Sequence, residues 1–254
     1  MIIILSPAKR MNLKPLSSSV VMTEPVFGKE AWLIAEKMRE YSPVQLTSLL
    51  GINSDLALST AERFASFQEN PLEISTKPAV FVYSGDAYRG LDAVTLPPES
   101  LAYARGHLRI LSALYGLLRP LDAIQPYRLE MATKLHINHT KNLYEFWQDH
   151  ITGFLNKELK KDPDPVLVNL ASREYFSAID TENLKARIIT PVFKEYRDGN
   201  YRVLSMYAKY ARGRMTRFII ENRLSNPEEI KTFDLDGYAY DDNLSGENQW
   251  VFTR

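Results

Sequence analysis

The chain has 254 residues, 45% of them hydrophobic, with 31 Lys and Arg against 31 Asp and Glu and no cysteine. Equal charge excludes a histone-like or polybasic-tail protein, so affinity for a polyanion has to come from how the charges are arranged. The lack of thiols excludes a disulfide framework, thiol catalysis, Cys-ligated zinc and Cys-held iron–sulfur clusters.

The length and composition suit one large α/β domain spanning residues 1–254, with core enough to fold alone. Met1–Leu5 reaches Ser6-Pro7 without a basic region, which reads as a buried first strand and not a signal peptide. No apolar stretch approaches the ~18 residues of a membrane span, and the expectation is a soluble cytoplasmic protein with no membrane partner.

In chain order, Ile2–Leu5 is a continuous apolar run stopped by Ser6-Pro7, the mark of a central strand. Lys14–Pro25 is a polar loop, and Glu30–Tyr41 has helical spacing through Trp32, Ala35 and Met38. A helical pair lies between Val44 and Phe67. Ala79–Tyr83, β-branched and aromatic, predicts a second buried strand running into Ser84-Gly85-Asp86. Pro97-Pro98 opens a helix whose Leu101, Leu108, Leu111, Leu114 and Leu118 share a side, ending at Arg119-Pro120. Leu121–Met131 is irregular, Asn142–Lys161 is a long amphipathic helix, and Val166–Leu170 is a strand. Arg187–Tyr196 and Tyr201–Tyr207 flank Arg197-Asp-Gly-Asn200, a strong hairpin signal. Met206–Arg223 is helical, Asn226-Pro227 starts a short helix, and Tyr238–Tyr240 with Trp250–Thr253 forms a last hairpin. These elements predict a mixed α/β fold with a mixed sheet and surrounding helices.

Tyr201–Arg223 is the densest basic stretch, holding Arg202, Lys209, Arg212, Arg214, Arg217 and Arg223 against Glu221 alone. Guanidinium groups so placed suit two-pronged contacts with phosphate oxygens; a solvated face balanced by distant acids reads the same way. Leu46–Ala57 fits a helix-hairpin-helix within residues 43–67: Gly51 permits the turn, Ile52 plugs the pair, and the second helix begins near Ser54. Such a turn aims backbone N–H groups at phosphate without reading bases. Asn53 stands where that motif usually has its second glycine and is expected to use its tolerance of the left-handed region. A plain αα-hairpin has the same apolar spacing.

Open α/β sheets gather ligands where strands end. Lys9 and Arg10 follow the first strand, and Asp86, Tyr88 and Arg89 follow the second. Lys9, Arg109, Arg119, Arg128, Lys209 and Arg212 together would line a basic groove. Asp86 with Tyr88 is the one weak catalytic candidate, and an Asp in such a turn is also a common helix cap. Asn169 and Ser172-Arg173-Glu174 either line a pocket or cap the next helix. No Walker loop, GxGxxG, GxSxG or HExxH is present. His136 and His139 have ligand-like spacing in a polar segment that reads as surface, so neither metal nor cofactor is expected.

Several strings resemble the YaaA family of peroxide-stress proteins. They are Leu5-Ser-Pro-Ala-Lys9, Gly85-Asp-Ala-Tyr88 with Gly90-Leu91, Leu111-Ser-Ala-Leu-Tyr-Gly-Leu-Leu-Arg-Pro-Leu-Asp122 and Gln125-Pro-Tyr-Arg-Leu-Glu-Met131. Asn169-Leu-Ala-Ser172 with Glu174-Tyr-Phe176, Tyr207-Ala-Lys209 with Ala211-Arg-Gly213, and Arg217-Phe-Ile-Ile-Glu-Asn-Arg223 extend the likeness. The resemblance implies a family-specific α/β fold with a basic cleft and a helix-hairpin-helix. It also implies binding to duplex and branched DNA with little sequence preference, protection from hydrogen peroxide, a link to limiting free intracellular iron, and recombination or repair proteins as partners. An enzyme acting on a nucleotide or nucleic acid in the cleft is the alternative.

Overall fold

The computed structural model describes residues 1–16, 20–72 and 75–254. The predicted loop Lys14–Pro25 therefore lies partly outside the described residues. Its elements run β1 (Ile2–Leu5), β2 (Arg10–Met11), α1 (Gly28–Arg39), α2 (Pro43–Leu50), α3 (Ser54–Ser66), β3 (Lys77–Pro78), α4 (Ala79–Val82), β4 (Tyr83–Ser84), α5 (Asp86–Leu91) and α6 (Pro98–His107). They continue with β5 (Leu108–Ser112), β6 (Gly116–Leu118), β7 (Ala123–Ile124), α7 (Leu143–Leu159), β8 (Val166–Leu170), α8 (Arg173–Phe176), β9 (Arg187–Arg197), β10 (Asn200–Arg202), α9 (Ser205–Asn222), β11 (Ala239–Tyr240) and β12 (Gln249–Thr253).

A mixed eight-stranded sheet in the order β11-β12-β9-β8-β1-β5-β6, with β10 hairpinned onto β9, organises the molecule. Strand β1 is central because nothing in it wants water: Ile3, Ile4 and Leu5 are buried, and it pairs in parallel with β5 on one side and β8 on the other. The chain leaves β1 for β5, then returns across it to β8 and continues outward to β9. Connections from β1 and β8 thus depart in opposite directions, and open parallel sheets have their crevice at such a point, outside the carboxyl ends of the strands.

Two predicted elements have another form. Ala79–Val82 is one helical turn and not a strand, because Ala79 N and Val80 N bond Asp122 O and Pro120 O at 2.9 Å each, outside the main sheet. The helix predicted from Pro97 to Arg119 stops at His107, and Leu108–Leu118 becomes the β5–β6 hairpin. Gly116 closes that hairpin at φ +65°, where a Cβ would meet the Trp147 ring at 2.6 Å. The other predicted helices and hairpins are present, although Val203 to Tyr207 belongs to the loop and the start of α9 and not to a strand.

The helical pair α2–α3 turns at Gly51, which caps α2 at φ 61° and ψ 42°. Asn53 does not adopt the left-handed region. It is extended, and its side chain caps α3 by accepting from Leu56 N at 2.9 Å. Ile52 is half-buried and packs on the core.

Helices α5 and α9 touch backbone to backbone. A Cβ on Gly213 would lie 1.8 Å from Ala87 O, and one on Gly90 would lie 2.3 Å from Tyr210 O. Only hydrogen atoms fit between them. This approach sets the N-terminal half of α9 beside the loop Ser84–Asp86.

Candidate nucleic-acid interface

At the crevice between β1 and β8 lies a cleft of about 440 Å³. Its floor is Leu5–Ala8 leaving β1 and Leu170 ending β8; its walls are Ser84–Tyr88, then Ser172, Glu174 and Tyr175, and Lys209 and Arg212 of α9. The two strand ends are laced together: Ser172 N donates to Ser6 Oγ at 2.8 Å, the two Ser Oγ atoms are 3.3 Å apart, and Tyr88 donates its hydroxyl to Ser6 O at 3.0 Å. Below the floor, Tyr83 and Tyr127 hydroxyls are 2.7 Å apart, and Tyr127 is 2.8 Å from Ser112 Oγ.

Six cations were expected to line one groove, and the structure divides them. Lys9, Lys209 and Arg212 line the cleft, together with Arg10. Arg128 shares a small adjoining recess with Pro7, Ala8, Lys9 and Tyr175. Arg109 does not reach it. It is buried beneath α6, where its guanidinium grips Glu158 at 2.6 and 2.7 Å and donates to Leu108 O and Arg105 O. Arg119 is also elsewhere, holding the fully buried Asp122 at 3.0 Å and donating to Glu24 O at 2.6 Å. On α9, Arg214 pairs with Asp236 at 2.9 Å, and Arg217 is fixed by Glu221 at 2.6 Å and by Leu91 O, Asp92 O and Thr95. These two lock α9 to its neighbours and leave Lys209 and Arg212 to face the cleft.

Partners separate the remaining cations further. Lys9 is exposed and pairs with Glu130 at 2.7 Å. Arg212 is half-buried, burial lowers its pKa from the ordinary guanidinium value, and among the described residues no acid or acceptor engages its side chain. A desolvated guanidinium without a counter-charge is a group waiting for an anion. Arg128 is similar: its Nε is buried with no acceptor. Arg63, near the end of α3, donates to Tyr127 O at 3.4 Å, and its pKa is lowered by burial and then by the neighbouring Arg128 charge. Ser54 lies nine residues before Arg63, which places the Gly51–Ser54 turn about 14 Å along α3 from that pair.

The catalytic candidates are poorly equipped. Tyr88 is buried, and desolvation followed by its tyrosine neighbours raises its pKa well above the ordinary value, so its proton stays on and is committed to Ser6 O. Asp86 is the first residue of α5 and pairs with Arg89 at 3.2 Å. His136 and His139 are both exposed, and no group of three or more His, Cys, Asp or Glu among the described residues is placed to hold a metal. Asn169 is buried and bonds Ala171 N at 3.0 Å, turning the chain out of β8 towards Ser172.

Sequence reasoning missed the α5–α9 contact that presents Lys209 and Arg212, although a glycine in mid-helix at 213 and another at 90 carried the signal. It also passed over Ser6 as the tie between strand ends.

A family model described as peroxide stress protein YaaA matches residues 1–244. The chain belongs to that family. A UPF0246 protein of Neisseria gonorrhoeae is 45% identical over all 254 residues and 98% of its own length. UPF0246 protein RSc2009 of Ralstonia nicotianae is 46% identical over the whole chain and 99% of its own length, and a UPF0246 protein of Janthinobacterium is 43% identical over the whole chain and 98% of its own length. Family membership supports a role in peroxide stress and leaves the chemistry of the cleft to be argued from its residues. Among the described residues no helix is long and apolar enough to cross a membrane.

Proposed function

We propose that this protein of the peroxide-stress family binds DNA by its phosphate backbone, duplex and branched alike, with little sequence preference. The observation that carries the reading is Arg212: a half-buried guanidinium without an acidic partner, facing a cleft beside Lys209 and Arg10. A neutral molecule achieves this by arrangement, since Arg109, Arg119, Arg214 and Arg217 are neutralised internally and the cleft cations are not all so. Arg128 and Arg63 extend the unpaired positive charge towards the α2–α3 turn, where Gly51, Ile52, Asn53 and Ser54 would act as a helix-hairpin-helix on a neighbouring phosphate. Bound backbone would shield DNA during oxidative stress and bring it to repair or recombination partners. A link to free iron belongs to the same proposal as a physiological consequence, and no residue is assigned to it.

Fluorescence anisotropy of labelled duplexes of unrelated sequence tests the reading. Lys209→Ala with Arg212→Ala is expected to weaken every duplex by a similar factor, because phosphate contacts carry no sequence information. Loss confined to one sequence, or no loss, overturns it.

A second reading has one observation in its favour. A cleft of about 440 Å³ at a strand-end crevice also suits a nucleotide-sized ligand. Product formation from nucleotides or DNA, abolished by Asp86→Asn in a folded variant, would establish an enzyme; an unchanged variant leaves Asp86 as a helix-end partner of Arg89.

A further inference from the structure

Tyr127 and Leu129, in the irregular segment beside the cleft, are both buried. Tyr127 is held along its whole length: its N–H meets Met11 Sδ at 3.4 Å, its hydroxyl joins Tyr83 and Ser112, and its carbonyl accepts from Arg63. Arg128 stands between these anchors and is half-buried, in the recess it shares with Pro7, Ala8, Lys9 and Tyr175. Arg63 arrives from α3, half-buried as well, with the fully buried Phe64 beside it in the chain. The backbone under both guanidinium groups is therefore fixed by the core.

What these two arginines lack is an acid. Other arginines taken out of water are answered, Arg109 by Glu158, Arg214 by Asp236 and Arg217 by Glu221. Glu130, two residues on from Arg128, is claimed by Lys9 at 2.7 Å. Desolvation lowers the Arg63 pKa, and the like charge of Arg128 lowers it further. Their hydrogen bonding is as sparse. Arg63 gives one N–H to Tyr127 O, at a long 3.4 Å, and Arg128 Nε is buried with no acceptor. Two neighbouring guanidinium groups in a half-dry place repel each other and forgo water, a cost that nothing within the fold offsets.

We propose that Arg63 and Arg128 together form a site for one phosphate monoester, on the side of the cleft where α3 packs. The monoester follows from charge. It carries about −1.5 to −2 at neutral pH, on three terminal oxygens, whereas a diester inside a strand carries a single charge. Three oxygens let each guanidinium make a two-pronged contact, with one oxygen shared between them. Little ordering is needed on binding, because Tyr127, Leu129 and Phe64 already hold the backbone of both. The proposal deepens the DNA reading and rests on it for one source of the group, the phosphorylated end of a strand. A free nucleoside 5′-monophosphate brings the same chemistry.

Anisotropy with full-length protein compares two blunt duplexes of one sequence, labelled internally, that end in 5′-phosphate or 5′-hydroxyl. Thermal unfolding with ethyl phosphate, diethyl phosphate or a deoxynucleoside 5′-monophosphate reads the site without DNA. The wild type is expected to prefer phosphorylated ends roughly tenfold, and its Tm to rise with either monoester and not with the diester. Arg63→Gln with Arg128→Gln is expected to abolish the end preference and both Tm shifts. Because it relieves repulsion, that variant is also expected to melt no lower than wild type. End preference assigns the DNA end as the source; Tm shifts without end preference assign the free nucleotide. A diester as effective as the monoesters, effects that persist in the Gln pair, or a Gln pair that melts well below wild type overturns the site. Equal binding of the two duplexes with no Tm shift overturns it while the DNA reading stands. Monoester shifts with no binding of either duplex keep the site and overturn the DNA reading, and absence of both overturns both.

Discussion

Gly213→Ala tests the architecture that presents the cleft cations. The new Cβ would sit 1.8 Å from Ala87 O, 2.7 Å from Ala87 C and 2.9 Å from Leu91 N, all main-chain atoms that cannot turn aside. Ordinary carbon contacts begin near 3.5 Å, so α5 and α9 must part by more than an ångström along their seam. Overpacking of this kind costs about 3 kcal/mol or more, offset by about 1 kcal/mol from the better helix propensity of alanine. A net loss of about 2 kcal/mol lowers Tm by roughly 4–8 °C in a chain of this size. The control is Gly153→Ala in α7, where the added methyl meets nothing within 4 Å and should instead stabilise by up to about 1 kcal/mol. Thermal unfolding followed by circular dichroism measures both. If Gly213→Ala melts at or above the wild type, α5 and α9 are not in backbone contact, and the placement of Lys209 and Arg212 goes with it.

Two other perturbations have defined outcomes. Arg109→Ala leaves Glu158 with an uncompensated charge in a mostly buried place, and is expected to destabilise by about 3–5 kcal/mol in denaturant titration while the folded fraction binds DNA as the wild type does. Asp162 is held below the usual carboxylate pKa, first by its hydrogen bond from the chain's N-terminal ammonium at 2.6 Å. A depressed folded pKa contributes stability that is full above the unfolded value and lost as pH falls through the folded one. The Tm deficit of Asp162→Asn should therefore be present at neutral pH and shrink below about pH 4; a deficit independent of pH would show that the ion pair contributes nothing.

Much of this fold is written in local pattern. Ile2–Leu5 is apolar without interruption, and Val166–Leu170 is apolar save for Asn169, because both faces of the sheet are covered there, and Asp198-Gly199 announces its turn. Leu108–Leu118 misled because a strand pair buried throughout has leucines that also satisfy a helical repeat, and the deciding contact is Gly116 against Trp147, thirty-one residues away in sequence. The same limit governs the site. Lys209 and Arg212 were legible as a basic helix turn, but nothing near Arg109 in sequence shows that Glu158 will claim it, or that Asp236 will claim Arg214. A cation's availability depends on its distant partners, which only the packed structure supplies.

The salt dependence of duplex binding by wild type and Arg212→Ala puts the unpaired guanidinium to the most direct test. Log affinity is expected to fall linearly with log salt at about 0.9 per neutralised phosphate, with a slope shallower by about one in the variant. A flat response in the wild type, or identical slopes for the two proteins, contradicts an anion at Arg212.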